Sequence, residues 1–190
     1  MNSLRTELPS VDGLPRDMRE ALNEVELLSD PQREGGWTNV IADAISRRVR
    51  KRRGVECMWS RDRSKPQEER EWLFDYCALF FEEAPDVRRF VSQALIIGEM
   101  EFSDLNGFDD DFEKLLVADS LIRFFCFPGW LEDKITEQLD TFQEAAERYQ
   151  RYAKRRGMTT PPIFVLACYF HPGRRFIRRI VGEEFVARTA

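Results

Sequence analysis

The 190 residues carry a formal net charge of −5 and are 43% hydrophobic, with 15 Phe and 4 Trp. This composition excludes a disordered chain and gives apolar surface for one domain with a full core, but not for two large ones. A negative balance argues against a protein that grips nucleic acid over its whole surface, because that affinity comes mostly from neutralised phosphates. No apolar run approaches the ~20 residues that a bilayer needs, and the opening Met1-Asn2-Ser3-Leu4-Arg5-Thr6-Glu7 lacks a signal-peptide core, so no membrane association and a cytoplasmic location are expected. Cys57, Cys77, Cys126 and Cys168 fall one to a strand-like segment without paired spacing, which reads as small core side chains, not a zinc site or disulfide frame.

Along the chain, residues 1–14 read as a loose arm, and Pro15 to Leu28 as a short helix with Met18, Leu22, Val25 and Leu28 on one side. Residues 1–33 are therefore expected to form an arm and a short helix, and 34–190 a single α/β domain. Trp37 to Arg53 has a helical apolar face and a last stretch of almost continuous arginine and lysine, as suits a helix C-terminus, with Gly54 as the stop. Val55 to Ser60 predicts a short strand with Cys57 and Trp59 on one face. Glu71 to Phe81 is apolar on both faces except at Asp75, which predicts a central strand with an acid in its middle. Arg89 to Phe102 predicts another strand. Its apolar run Ala94-Leu95-Ile96-Ile97 leads to Glu99 and Glu101, two residues apart and so on one face.

Asp109 to Ala118 reads as a helix with acids in its first turn and Phe112, Leu115 and Leu116 inward. Leu121 to Phe127 is an apolar strand closed by Pro128-Gly129, and Trp130 to Arg156 a long amphipathic helix along Leu131, Ile135, Leu139, Phe142, Ala146 and Tyr149. Ile163 to Phe170 is a last central strand, and the arginine-rich stretch after His171-Pro172-Gly173 can pair with it as an edge strand. The fold class is α/β, a mixed central sheet flanked by helices.

Two ionised carboxylates at the tip of a core strand repel each other and lose hydration unless a hard metal ion or a lysine or arginine lies between them. Asp75, Glu99 and Glu101 with Lys114 on the following helix supply what metal-assisted phosphodiester hydrolysis uses: acidic oxygens for Mg²⁺ and a cation for the pentavalent transition state. The plainer alternative is that Asp75 sits near a strand end and that Glu99 and Glu101 are solvated or paired with arginines such as Arg123. His171, the one histidine, excludes a two-histidine metal site, and the chain has no Walker loop, GxGxxG or GxSxG elbow.

On these residues the chain resembles the restriction-endonuclease-like, PD-(D/E)xK superfamily over roughly 34–127, with the final helix and strand added to that core. The segment Glu99-Met100-Glu101-Phe102 followed by Asp111-Phe112-Glu113-Lys114-Leu115-Leu116 is also similar to a set of uncharacterised bacterial proteins. The resemblance implies that Asp75 and Glu99 are metal-binding acids, that Glu101 stands where the superfamily usually has lysine, that Lys114 is the displaced lysine, and that Asp43, on the helix of Trp37 to Arg53 bordering the site, is a further oxygen donor. It implies a nuclease that uses Mg²⁺, or Mn²⁺ in its place, on DNA or RNA. The alternative is an inactive nuclease-like fold acting on a protein partner as an immunity or regulatory module. Superfamily nucleases that cut duplex DNA often work as dimers, so a homodimer is among the implied states.

Overall fold

The computed structural model describes residues 12–26, 36–59, 73–83, 89–102, 108–129, 131–158, 160–161, 163–169 and 175–181. Among the described residues, four helices and six strands run in the order α1 (Leu14–Glu26), α2 (Gly36–Val49), β1 (Val55–Trp59), β2 (Tyr76–Glu83), β3 (Arg89–Met100), α3 (Phe108–Val117), β4 (Ile122–Gly129), α4 (Glu132–Arg155), β5 (Ile163–Tyr169) and β6 (Arg175–Val181). The chain divides into two compact units, Met1–Ile96 and Ile97–Ala190, so that β3 begins in one and ends in the other.

In the first unit the strands lie in the order β1-β2-β3, with β1 and β2 antiparallel from Val55↔Phe80 to Trp59↔Tyr76. Val55, Cys57 and Trp59 alternate inward along β1 as the period of two predicts. Tyr76 to Phe80 are buried without alternation, as in a strand covered on both faces. The α1 apolar side, Leu14, Met18, Ala21, Leu22 and Val25, is buried and packs on α2. The helix α2 stops at Val49, before the run Arg50-Lys51-Arg52-Arg53 expected to continue it. The chain turns there, and Gly54 takes a φ of 75° that favours glycine.

Tyr76 is fully buried, lies 6.4 Å from the Trp59 ring, and its hydroxyl is 3.2 Å from Ser46 Oγ. Burial, then the neighbouring Cys57, pushes its phenol well above its ordinary value. A proton held more tightly in the folded state contributes stability that is complete below the usual phenol value of about 10 and is lost as pH rises through the raised folded value. Tyr76→Phe is expected to cost about 1 kcal/mol at pH 7 through the lost hydrogen bond. The same substitution should flatten the fall of urea midpoint with pH above about 10. An alkaline limb equal to the wild type's would refute this assignment.

In the second unit the end of β3 is followed by β4, β5 and β6 in that order across the sheet. Glu101 N donates to Cys126 O at 3.0 Å, and Gly98 lies against the Phe124 ring, so residue numbers rise together along β3 and β4 as in a parallel pair. A Cβ at Gly98 would overlap that ring, which is itself buried. Gly98→Ala is accordingly expected to cost about 1–3 kcal/mol of unfolding free energy, read from urea titrations. β4 and β5 are parallel from Arg123↔Ile163 to Gly129↔Tyr169, with α4 as their crossover, and β5 and β6 are antiparallel. Successive parallel crossovers place α3 and α4 on one face of the sheet. There Phe112 stacks on Phe142 at 4.2 Å, and Phe125 meets both edge-on.

The mixed sheet with helices agrees with the expected α/β class. Pro128 and Gly129 continue β4 instead of closing it, because a proline at the end of a ladder gives up little. The arginine-rich stretch does pair as an edge strand. Cys57, Cys77 and Cys126 are buried free thiols, and no helix among the described residues is long and apolar enough to cross a membrane.

Candidate active site

The strand β3 carries its last apolar residues, Leu95, Ile96 and Ile97, into the core and ends at Glu99-Met100. Glu99 is only 4% exposed. A carboxylate so placed needs a cationic or hydrogen-bonding neighbour to remain ionised. Lys114, one turn from the end of α3, extends back to the strand and sets Nζ 3.7 Å from Glu99 Oε1 and 2.5 Å from Asp111 Oδ1. The apolar residues around it, Phe112, Leu115 and Leu116, fix the rotation of α3 against the sheet and so direct Lys114 toward β3.

The hydrogen bond to Asp111, followed by the charge of Glu99, raises the lysine above its ordinary value despite some burial. Its ammonium therefore stays charged at neutral pH, and the pairing is lost only as pH rises through that raised value. Lys114 is thus a fixed positive charge, 53% exposed, and not a proton carrier. Glu101 lies just beyond β3, half-buried, with its backbone amide on β4.

Asp75 is not in the middle of a buried strand as the sequence predicts. β2 begins one residue later, where Tyr76 pairs with Trp59 at the end of the β1 ladder, and Asp75 lies half-buried on the preceding bend. It belongs to the first unit, whereas Glu99, Glu101 and Lys114 belong to the second. Asp43, also in the first unit, is exposed and paired with Arg47 at 3.1 Å. His171 lies outside the described residues, as do Glu71 and Trp72 of the expected strand.

No family model, curated protein or solved structure matches the chain.

Among the described residues, no group of three or more His, Cys, Asp or Glu is gathered as a metal cage. The gathered set is instead two carboxylates with a lysine, Glu99, Asp111 and Lys114. Asp111 was legible only as a first-turn acid. Its i, i+3 spacing to Lys114 was the available signal for the pair.

Arg123 does not pair with Glu99 or Glu101. Only 2% exposed, it donates to the carbonyls of Leu115 and Leu116 at 2.7 and 2.9 Å and to that of Pro161, tying the C-terminal turn of α3 to the start of β5. Burial lowers its guanidinium to about 10, so it remains a cation at neutral pH, facing the negative end of the α3 dipole. No residue pattern signals this role, because its acceptors are backbone atoms.

The basic run of the first unit is also accounted for differently from a solvated helix end. Arg47 pairs with Glu24 at 2.7 Å, Arg48 with Glu20 and Glu24 at 2.8 and 3.4 Å, and Arg52 with Asp17 at 2.7 Å. Arg50 donates to Cys57 O and lies 5.2 Å from the Trp59 ring centre. The acids of α1 face these arginines as one charged edge beside the apolar contact of the two helices.

Proposed function

We propose that the chain has a restriction-endonuclease-like core, α2-β1-β2-β3-α3-β4, extended by α4, β5 and β6, and that it hydrolyses phosphodiester bonds of DNA or RNA with a divalent metal ion. The observation that carries this reading is Lys114 Nζ standing 3.7 Å from Glu99 Oε1 at the end of β3. It joins an acid and a cation on the two elements that the resemblance assigns to the site.

The donor chemistry fits Mg²⁺, which takes oxygen ligands, keeps several waters and commonly uses only one or two protein carboxylates together with substrate phosphates. Glu99 would hold the ion, with Glu101 as the adjacent donor. When bound, the metal lowers the pKa of a coordinated water and polarises the phosphate. Lys114 presents its fixed charge to the phosphoryl oxygens on which negative charge grows, and Asp111 orients it. Asp75 remains a carried-over ligand of the resemblance.

Calorimetric titration of Mg²⁺ and Mn²⁺ into the full chain tests the metal, with Glu99→Gln and Asp75→Ala beside the wild type. Binding that Glu99→Gln abolishes is expected, and loss in Asp75→Ala as well would add that residue to the site. Absence of binding to the wild type would refute the hydrolytic reading.

The engagement of Arg47, Arg48 and Arg52 by α1 favours a second reading, an inactive nuclease-like fold that binds a protein partner. Those cations are held by carboxylates of the same chain instead of being offered to phosphates.

A further inference from the structure

Along the edge of its buried stripe, α4 carries an aromatic and cationic pattern that the core does not use. Ile135, Leu139, Phe142, Ala146 and Ala153 are buried, whereas Tyr152 is 51% exposed. Its ring centre lies 6.4 Å from that of Tyr149, one turn earlier, and the Arg156 guanidinium stands 5.2 Å over it, one turn later. Tyr149 in turn lines a shallow hollow of about 580 Å³ together with Asp110, Glu113, Lys114, Leu116 and Val117. Val117 is exposed there beside the ring. The hollow thus joins the charge that stands against Glu99 to a row of two tyrosines and an arginine.

We infer that this hollow and the Tyr149–Tyr152–Arg156 row form a binding track for single-stranded nucleic acid. Proteins that hold single strands without sequence preference combine aromatic faces for successive bases with cations for the backbone. A duplex keeps its base faces stacked on each other and cannot offer them to the half-buried Tyr149 and the exposed Tyr152. On α4, Arg148 and Arg151 are paired with Glu144 and Glu147 one turn back. Arg156 over the Tyr152 ring, with Arg155 in the last turn before it, forms the basic end of the track. Asp110 and Glu113 in the lining of the hollow repel phosphate, so the backbone is steered toward that basic end while a base enters between Val117 and Tyr149. Lys114 in the hollow then meets the phosphate adjoining that base. The inference rests on the hydrolytic reading only for this last contact; the track itself is a matter of binding.

The test is fluorescence anisotropy of a labelled twelve-residue oligothymidylate and of a twelve-base-pair duplex with the full chain in EDTA, so that cleavage plays no part. Tighter binding of the single strand is expected, by roughly tenfold or more, as stacking of one or more bases implies. Tyr152→Ala should weaken it by about 5- to 150-fold, the equivalent of ~1–3 kcal/mol per stacked base, and Tyr152→Phe should restore it. Equal affinity for the duplex, no binding of the single strand, or an unchanged affinity in Tyr152→Ala would each overturn the track. Single-strand binding without cleavage on adding Mg²⁺ would remove the hydrolytic reading and leave the track standing; cleavage without this binding would do the reverse.

Discussion

Replacing Phe142 by alanine is expected to lower the unfolding free energy by about 3–5 kcal/mol, the range for removing a large buried aromatic ring. Phe142 is the centre of the aromatic cluster under α3 and α4: stacked on Phe112, edge-on to Phe125 at 5.2 Å and to Phe127 at 5.6 Å. Its removal takes away the surface against which α3 is seated and opens a cavity that these rings cannot fill without leaving their rotamers. Against a total stability of roughly 5–15 kcal/mol the loss is large enough to bring the urea midpoint close to zero in the less stable case. Phe142→Leu, which keeps most of the volume, should cost clearly less. A midpoint shift worth under about 1 kcal/mol for Phe142→Ala would mean that the cluster is not packed as described.

Lys114→Met is expected to reduce single-turnover phosphodiester cleavage by about 10²- to 10³-fold, the usual effect of losing one preorganised group that meets developing negative charge. The methylene stem is retained, so the seating of α3 should persist. Mg²⁺ affinity should be equal to or higher than that of the wild type, because the ammonium that faces Glu99 is gone. This separation of metal binding from rate identifies Lys114 as an electrostatic stabiliser. A proportional loss of both would place it in a merely structural role.

Much of the fold was legible because hydrophobic period and punctuation agree along this chain. The alternation at Val55, Cys57 and Trp59, the acids at the start of α3 and the glycine after α2 each have a local cause, and their elements stand close to where the periodicity puts them. Boundaries fixed by pairing were less legible. Asp75 sits in an apolar stretch that reads as strand, yet the β1 ladder reaches only to Tyr76. The basic run after Val49 reads as the last turns of a helix, but Arg52 is drawn to Asp17 and Arg50 to Cys57 O, and the backbone turns with them.

At the site, the apolar run before Glu99 foretold a buried acid, and the need of such an acid for a cation pointed to Lys114 on the following helix. Asp111 acts through an i, i+3 pair within α3 that local spacing could have signalled, whereas Arg123 needed the tertiary structure, because it acts through backbone carbonyls that include that of Pro161.

The most direct measurement is single-turnover cleavage of end-labelled single-stranded DNA and RNA by the wild type and Glu99→Gln, with Mg²⁺ and with EDTA. Cleavage by the wild type that requires the metal and disappears in Glu99→Gln is the predicted result. Cleavage retained in Glu99→Gln, or none by a folded wild type that has bound its substrate, would contradict the assignment of Glu99 and Lys114 as the reacting centre.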